Sequence, residues 1–190
     1  MPTINSSKAG YIIGQSSTNF TTARQNGSSV VAAPTTNQTT AIQYRATSGR
    51  GSLTHAMRRT FLYFDTTALT GTISSTSLKI TGATNTTADV IVLKSTAFGG
   101  NGGTALATSD FFSTIDYSTE YSNEFTSWGG GGNSIPLIAA ANTDIQNNNA
   151  FIVAIVEHDF DYANGASGLA ISRIDGIGFG TTINLTYTEA

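Results

Sequence analysis

Arg58-Arg-Thr-Phe-Leu-Tyr-Phe-Asp65, followed by Thr76-Ser-Leu-Lys-Ile-Thr81, is the stretch that decides the fold class. Side chains alternate across a strand, so Thr60, Leu62 and Phe64 share one face, and Thr76, Leu78 and Ile80 share another. Two half-buried strands side by side make a sheet that needs a second layer. The pair therefore points to a β-sandwich.

Working outward, short β-type runs recur along the chain. Toward the N-terminus they are Gly10-Tyr-Ile-Ile13, Ser29-Val-Val-Ala32 and Ala41-Ile-Gln-Tyr-Arg-Ala46. Toward the C-terminus they fall at 89–94, 151–156, 169–174 and 182–187. The 89–94 run is nearly continuous in apolar residues, as expected of a strand covered on both sides. Phe151-Ile-Val-Ala-Ile-Val156 has the strongest β-propensity in the chain. Residues 48–52 read as a flexible loop, 82–86 as a turn and 99–103 as a loop. The glycines at 129–132 read as a very mobile segment beside Trp128. The segment 109–116 admits either a short helical turn capped by Asp110 or the start of a strand. The one good helix candidate is 136–145, where Pro136 suits the first position and Leu137, Ile138, Ala141 and Ile145 fall on one side. The expectation is an all-β, jelly-roll-like antiparallel β-sandwich with one short helix, a single domain over residues 1–190. Residues 55–190 form its best-patterned core. Residues 1–54 supply its first strands or, alternatively, an extended arm that docks on a neighbouring subunit. No period of 20–50 residues argues for a solenoid or propeller.

Composition excludes several functions. Charged residues make up 11% of the 190, less than half the usual share. Thr and Ser, about a quarter of the chain, take their place together with Asn and Gly. A net charge of −3 leaves no electrostatic footprint for nucleic acid. Arg50, Arg58 and Arg59 are the densest basic patch, and a modest one. No apolar run is long enough to span a bilayer. The first residues lack the charged-then-apolar layout of a signal peptide. The expectation is a chain used without classical export, or one whose leader has been replaced by Met. With no Cys, disulfides, thiolate metal sites and Cys nucleophiles are excluded together.

Candidate chemistry concentrates in two places. Glu157, Asp159 and Asp161, spaced by two, would share one face of an extended segment and offer oxygen ligands to calcium. The bland reading makes them the solvated exit of the preceding strand. Tyr117, Tyr121, Phe125 and Trp128 lie among Asp116, Glu120 and Glu124, so Tyr117, Tyr121 and Trp128 form a candidate sugar platform. The competing reading has Phe125 and Trp128 closing one end of the core. His55 and His158 would assist proton transfer only if they met a Ser or a carboxylate. No nucleophile elbow, zinc-protease motif or phosphate-binding glycine loop occurs, so no catalytic residues are expected. Asn-x-Ser/Thr triplets at Asn5, Asn19, Asn26, Asn37, Asn85 and Asn184 matter only in a chain exported from a eukaryotic cell.

Residues 58–81 resemble the DNRLRE-type β-sandwich modules, which are related to carbohydrate-binding and disaggregatase-associated domains. The residues that carry the resemblance are Arg59, Leu62, Phe64, Asp65, Leu69, Ile73, Ser75, Leu78 and Ile80, with Thr76 in place of the usual small residue. Trp128, the helix-like segment 137–146 and the strands at 151–156 and 182–187 follow in the matching order. The resemblance spans about residues 55–190. It implies a jelly-roll-like sandwich and transfers no binding residue.

In composition the chain is also similar to structural proteins of bacteriophage virions. That similarity implies a non-enzymatic capsid decoration (cement) or fibre-type protein, made in the host cytoplasm and located in the virion. Its partners would be other virion proteins and copies of itself, with a trimer plausible, and a host-surface glycan as a further partner. Neither nucleic acid nor membrane is expected as a partner, and no cofactor beyond the candidate calcium. The alternative is a carbohydrate-binding module of a secreted or surface bacterial protein, working outside the cell through Tyr117–Trp128.

Overall fold

The computed structural model describes residues 1–33, 40–49, 52–81, 87–129, 131–165, 168–177 and 183–189. The expected turn at 82–86, Arg50 and Gly51 of the expected loop, and Asn37 and Asn85 lie outside them. In chain order the elements are β1 (Thr3–Asn5), β2 (Lys8–Ser16), α1 (Phe20–Gln25), β3 (Gly27–Ala33), β4 (Thr40–Gly49), β5 (Ser52–Asp65), β6 (Ile73–Thr81) and β7 (Val90–Ser95). They continue with α2 (Asp110–Ser113), β8 (Ile115–Glu120), β9 (Gly132–Pro136), α3 (Ala139–Asn147), β10 (Ala150–Glu157), a π-helical turn (His158–Tyr162), β11 (Ala170–Ile177) and β12 (Asn184–Glu189).

Two antiparallel sheets make an all-β sandwich. The smaller has the order β1-β12-β6-β9. The larger is built on β5, whose 14 residues let it carry two sets of partners on one edge. β4 pairs with its N-terminal half, placing Gln43 opposite Arg58, and β11 lies outside β4. β10 pairs with its C-terminal half, placing Val153 opposite Leu62, followed by β7 and β8. β2 runs along the other edge of β5, with β3 outside it. The two stretches that decided the fold class, β5 and β6, are therefore not sheet neighbours. They belong to opposite layers, and both expected faces point into the space between.

Alternation explains the layering. Leu62, Phe64, Val92, Val153 and Ile155 of the larger sheet meet Leu78, Ile80, Ile135 and Leu185 of the smaller, and Ala141 and Ile145 of α3 close the end. The opposite face of the larger sheet carries Met57, Phe61, Ile91, Leu93, Ile152 and Val156, which pack with Phe98, Leu106 and Phe111 in a second buried cluster. β7 and β10 are thus covered on both faces, as their unbroken apolar runs require. Val90, Ile91, Val92 and Leu93 are all buried.

The helical expectation holds in part. α3 begins after Ile138 as cap, and Pro136 ends β9 instead of opening the helix. Of two further helices, α1 was not expected, while α2 takes the helical alternative at 109–116 with Asp110 as its first residue and not its cap. α1 has six residues, two of them Thr, and depends on Asn19, whose side chain accepts a hydrogen bond from the Thr22 N–H (2.9 Å). α2 has four residues and contains Asp110, whose carboxylate accepts from the Ala107 N–H (3.0 Å). Segments this short carry no readable 3.6-residue period.

The N-terminal third is built into the sandwich. β1 extends the smaller sheet beside β12, and β2 is hydrogen-bonded along β5 from Tyr63 to His55. Where a flexible loop was expected at 48–52, β4 and β5 run on to pair Gly49 with Ser52. The glycines near Trp128 are tethered: Asn133 accepts from the Gly129 N–H (2.7 Å) and donates to its carbonyl (3.0 Å). No described helix is long and apolar enough to cross a membrane.

Candidate functional site

Among the described residues a densely bonded polar group lies inside the outer layer. Arg59 sits at 0% exposure among the apolar side chains of that cluster. It donates to both carboxylate oxygens of Asp161 (2.6 and 2.7 Å), to the Phe111 carbonyl (2.5 Å) and to the Arg24 carbonyl (2.7 Å). Its guanidinium carbon stands 3.9 Å from the centroid of the Phe111 ring. One side chain on β5 thereby holds α1, α2 and the π-helical turn against the larger sheet. Burial favours the neutral guanidine, but Asp161 outweighs it and the Arg59 pKa is raised. Arg24 also donates to the Asp161 carbonyl (2.8 Å).

The three expected calcium ligands do not form one site. After Glu157 the chain turns into the π-helical turn, so spacing by two no longer places the carboxylates on a common face. Glu157 is fully buried and caps the turn, accepting from the Phe160 N–H (2.8 Å), the Asp161 N–H (3.1 Å) and the Ser172 hydroxyl (2.9 Å). Burial outweighs these bonds and pushes its pKa up. Asp161 is committed to Arg59. Asp159 alone is exposed, and its carboxylate lies with Glu124 and His158, their ligand atoms within 4.8 Å of one another. That mixed oxygen and nitrogen set differs from the all-oxygen shell calcium takes.

Nor do the aromatic residues make an open platform. Tyr121 is 2% exposed, with its ring 5.1 Å from that of Phe151. Trp128 donates its indole N–H to the Ala88 carbonyl (3.0 Å), stands edge-on to Phe125 (4.9 Å) and packs on the inner core with it. Tyr117 lies under Arg24, 4.7 Å from ring centroid to guanidinium carbon, and burial followed by Asp161 pushes its pKa up. Of the two histidines only His158 meets carboxylates among the described residues, those of Glu124 and Asp159. His55 is buried beside Tyr44 and Phe20, with its pKa lowered by burial, while His158 lies 3.1 Å from Glu124.

A cleft with both polar and apolar walls, Phe151 and Ile152 among the latter, opens at the Tyr121 hydroxyl, away from the expected platform. A cavity of about 320 Å³ is lined by Lys94 and Ser95 of β7, Asn101, Tyr121, Asp144 of α3, and Asn148 and Asn149. Lys94 donates to Asp144 (2.7 Å), and the Tyr121 hydroxyl donates to the same carboxylate oxygen. Burial opposes ionisation of Asp144, but these two donors outweigh it and hold its pKa below the ordinary carboxylate value. For Tyr121, burial and then Asp144 push the phenol pKa up. Tyr121 was the residue here that sequence had marked, for its ring; nothing linked Lys94, at the end of an apolar run, to a helix residue 50 positions away.

The surface has one conspicuous apolar edge. Among the described residues β11 pairs with β4 alone, and Leu169 and Ile171 beside it are 70% and 57% exposed. With Arg45, Thr47 and Ser48 they line a shallow groove.

No protein-family model and no curated protein matches this chain.

Proposed function

We propose that this chain is a non-enzymatic structural protein of a phage virion, acting through contacts between subunits. The observation that carries the reading is the outer edge of the larger sheet, where Leu169 and Ile171 stand exposed at a strand that pairs, among the described residues, with β4 alone. Such an edge templates pairing with another chain unless it is covered, and a second β11 or a neighbouring virion strand would cover it by β-addition. Capsid decoration (cement) and fibre-type roles both use such an edge.

The way the fold is bonded supports the same reading. Hydroxyl and amide contacts tie neighbouring segments: Ser77 of β6 to Thr186 of β12 (2.6 Å), Thr76 of β6 to Asn142 of α3 (2.5 Å), and Thr66 after β5 to the Asn148 carbonyl (2.5 Å). Neutral bonds of this kind are insensitive to salt, which suits a particle exposed to changing media. The charges of Arg59, Asp161 and Glu157 are spent on internal partners, an arrangement suited to a scaffold.

Mass spectrometry of purified virions tests the proposal: the chain is expected among the particle proteins. Sedimentation velocity of the isolated chain is expected to reveal a homo-oligomer that Ile171→Lys dissociates. A chain found in no particle and monomeric at high concentration overturns the reading.

A further inference from the structure

We infer that the cleft between β7, the turn at 98–103 and the C-terminal end of α3 is a binding site for a neutral saccharide, gripped through vicinal hydroxyls. This goes beyond the virion reading and does not depend on it.

The central pair sets the ligand class. Lys94 and Asp144 stand 2.7 Å apart, with side chains 39% and 25% exposed, so an ammonium and a carboxylate reach the cavity together. An ammonium has three donors and a carboxylate about four acceptor positions, and their mutual bond with that from Tyr121 uses only part of this capacity. A vicinal diol fits the remainder: one hydroxyl donates to Asp144 while its neighbour accepts from Lys94. The pair is neutral as a unit, so the cleft offers no net charge to hold an anion or a cation. Around it stand Asn101, Asn148 and Asn149, whose amides both donate and accept. At about 320 Å³ the cavity lies at the small end of ligand sites, suited to a single sugar unit such as the terminal residue of a glycan.

The walls are preset. Phe98, Gly99, Gly100 and Gly102 all have positive φ, and a Cβ at Gly102 would come within 2.5 Å of the Tyr63 ring. Lys8 reaches across to the carbonyls of Gly102 (2.5 Å) and Thr104 (3.0 Å). Opposite, Asn148 and Asn149 are fixed by Thr66, whose hydroxyl and N–H donate to their carbonyls. A cleft held in shape loses little entropy when a ligand enters.

The test is an amide-resolved NMR titration of the intact chain with glucose, galactose, mannose, rhamnose and N-acetylglucosamine, with glycerol as control. At least one sugar is expected to shift amides of residues 94–101 and 144–150 saturably, with a dissociation constant of order millimolar. Lys94→Met is expected to weaken that binding about ten-fold, as loss of a charged hydrogen bond implies. Asn149→Ala is expected to weaken it a few-fold with an unchanged melting temperature. Asn149 is exposed and only its backbone is anchored, so this variant stays informative even if Lys94→Met unfolds. Silence of the cleft amides with every sugar, shifts equal to those from glycerol, or wild-type affinity in the folded variants overturns the inference. None of these results bears on whether the chain is found in virions.

Discussion

Each face of the larger sheet carries a buried cluster, yet the two are held by different physics. The inner face meets the smaller sheet through Leu62, Phe64 and Val153, which pack with Leu78 of that sheet. The outer face is covered by short helices and turns, and these converge on one buried ion pair, Arg59 with Asp161. Apolar packing is non-directional and forgiving. A buried guanidinium is not: five N–H groups must find partners, and their directions fix where each covering segment lies. Sheet-on-sheet contact thus gives this molecule its bulk stability, while Arg59 gives the irregular layer its arrangement.

The contrast breaks most severely at Arg59. Arg59→Met takes its two shortest donors from the buried Asp161 carboxylate, leaving only Arg24 and Tyr117 at 3.4 Å, and leaves two buried carbonyls without that donor. It is expected to cost about 3–5 kcal/mol in chemical denaturation. Hydrogen exchange should rise first at residues 20–25 and 158–162, ahead of β6 and β10. Leu78→Ala opens a cavity on the inner face and is expected to cost about 2–5 kcal/mol without that regional pattern. Protection should instead fall uniformly. Tyr121→Phe removes one donor to a quarter-exposed carboxylate and is expected to cost about 1.5 kcal/mol, the lower end for a charge-assisted bond.

The smallest expected effect lies at Glu157. Its folded pKa is raised, so the native state holds the proton more tightly than the unfolded chain. Its contribution to stability is complete below the ordinary glutamate value and is lost as pH rises through the folded value. Glu157→Gln keeps an oxygen for the Phe160 and Asp161 N–H groups and an amide for Ser172, but cannot titrate. Across that window, urea midpoints of the wild type are expected to fall relative to those of the variant. Parallel curves would mean that the carboxyl is not perturbed.

Legibility in the sequence follows the same division. Leu62, Phe64, Leu78 and Ile80 announced the inner core because alternation is a local signal, and the apolar runs of β7 and β10 announced burial on both sides. Which sheet each strand joins was not local: β5 and β6 are close in sequence and lie in opposite layers. The outer layer was hidden because Arg59 and Asp161 are separated by 102 positions and their neighbours suggested other roles. Arg59 looked like part of a modest basic patch. Asp161 looked like a calcium ligand while the segment was read as extended, and the π-helical turn changed its direction. Tyr121 was picked out for its ring, but its hydroxyl is the part that reaches a cavity.

A double-mutant cycle on Arg59 and Asp161 tests most directly whether a single buried pair organises the outer layer. Arg59→Met and Asp161→Leu are each expected to cost about 3–5 kcal/mol alone. Together they are expected to cost far less than the sum, because the uncompensated charge left by each single change is gone. Additive losses, with residues 20–25 and 158–162 as protected as in the wild type, would contradict that role.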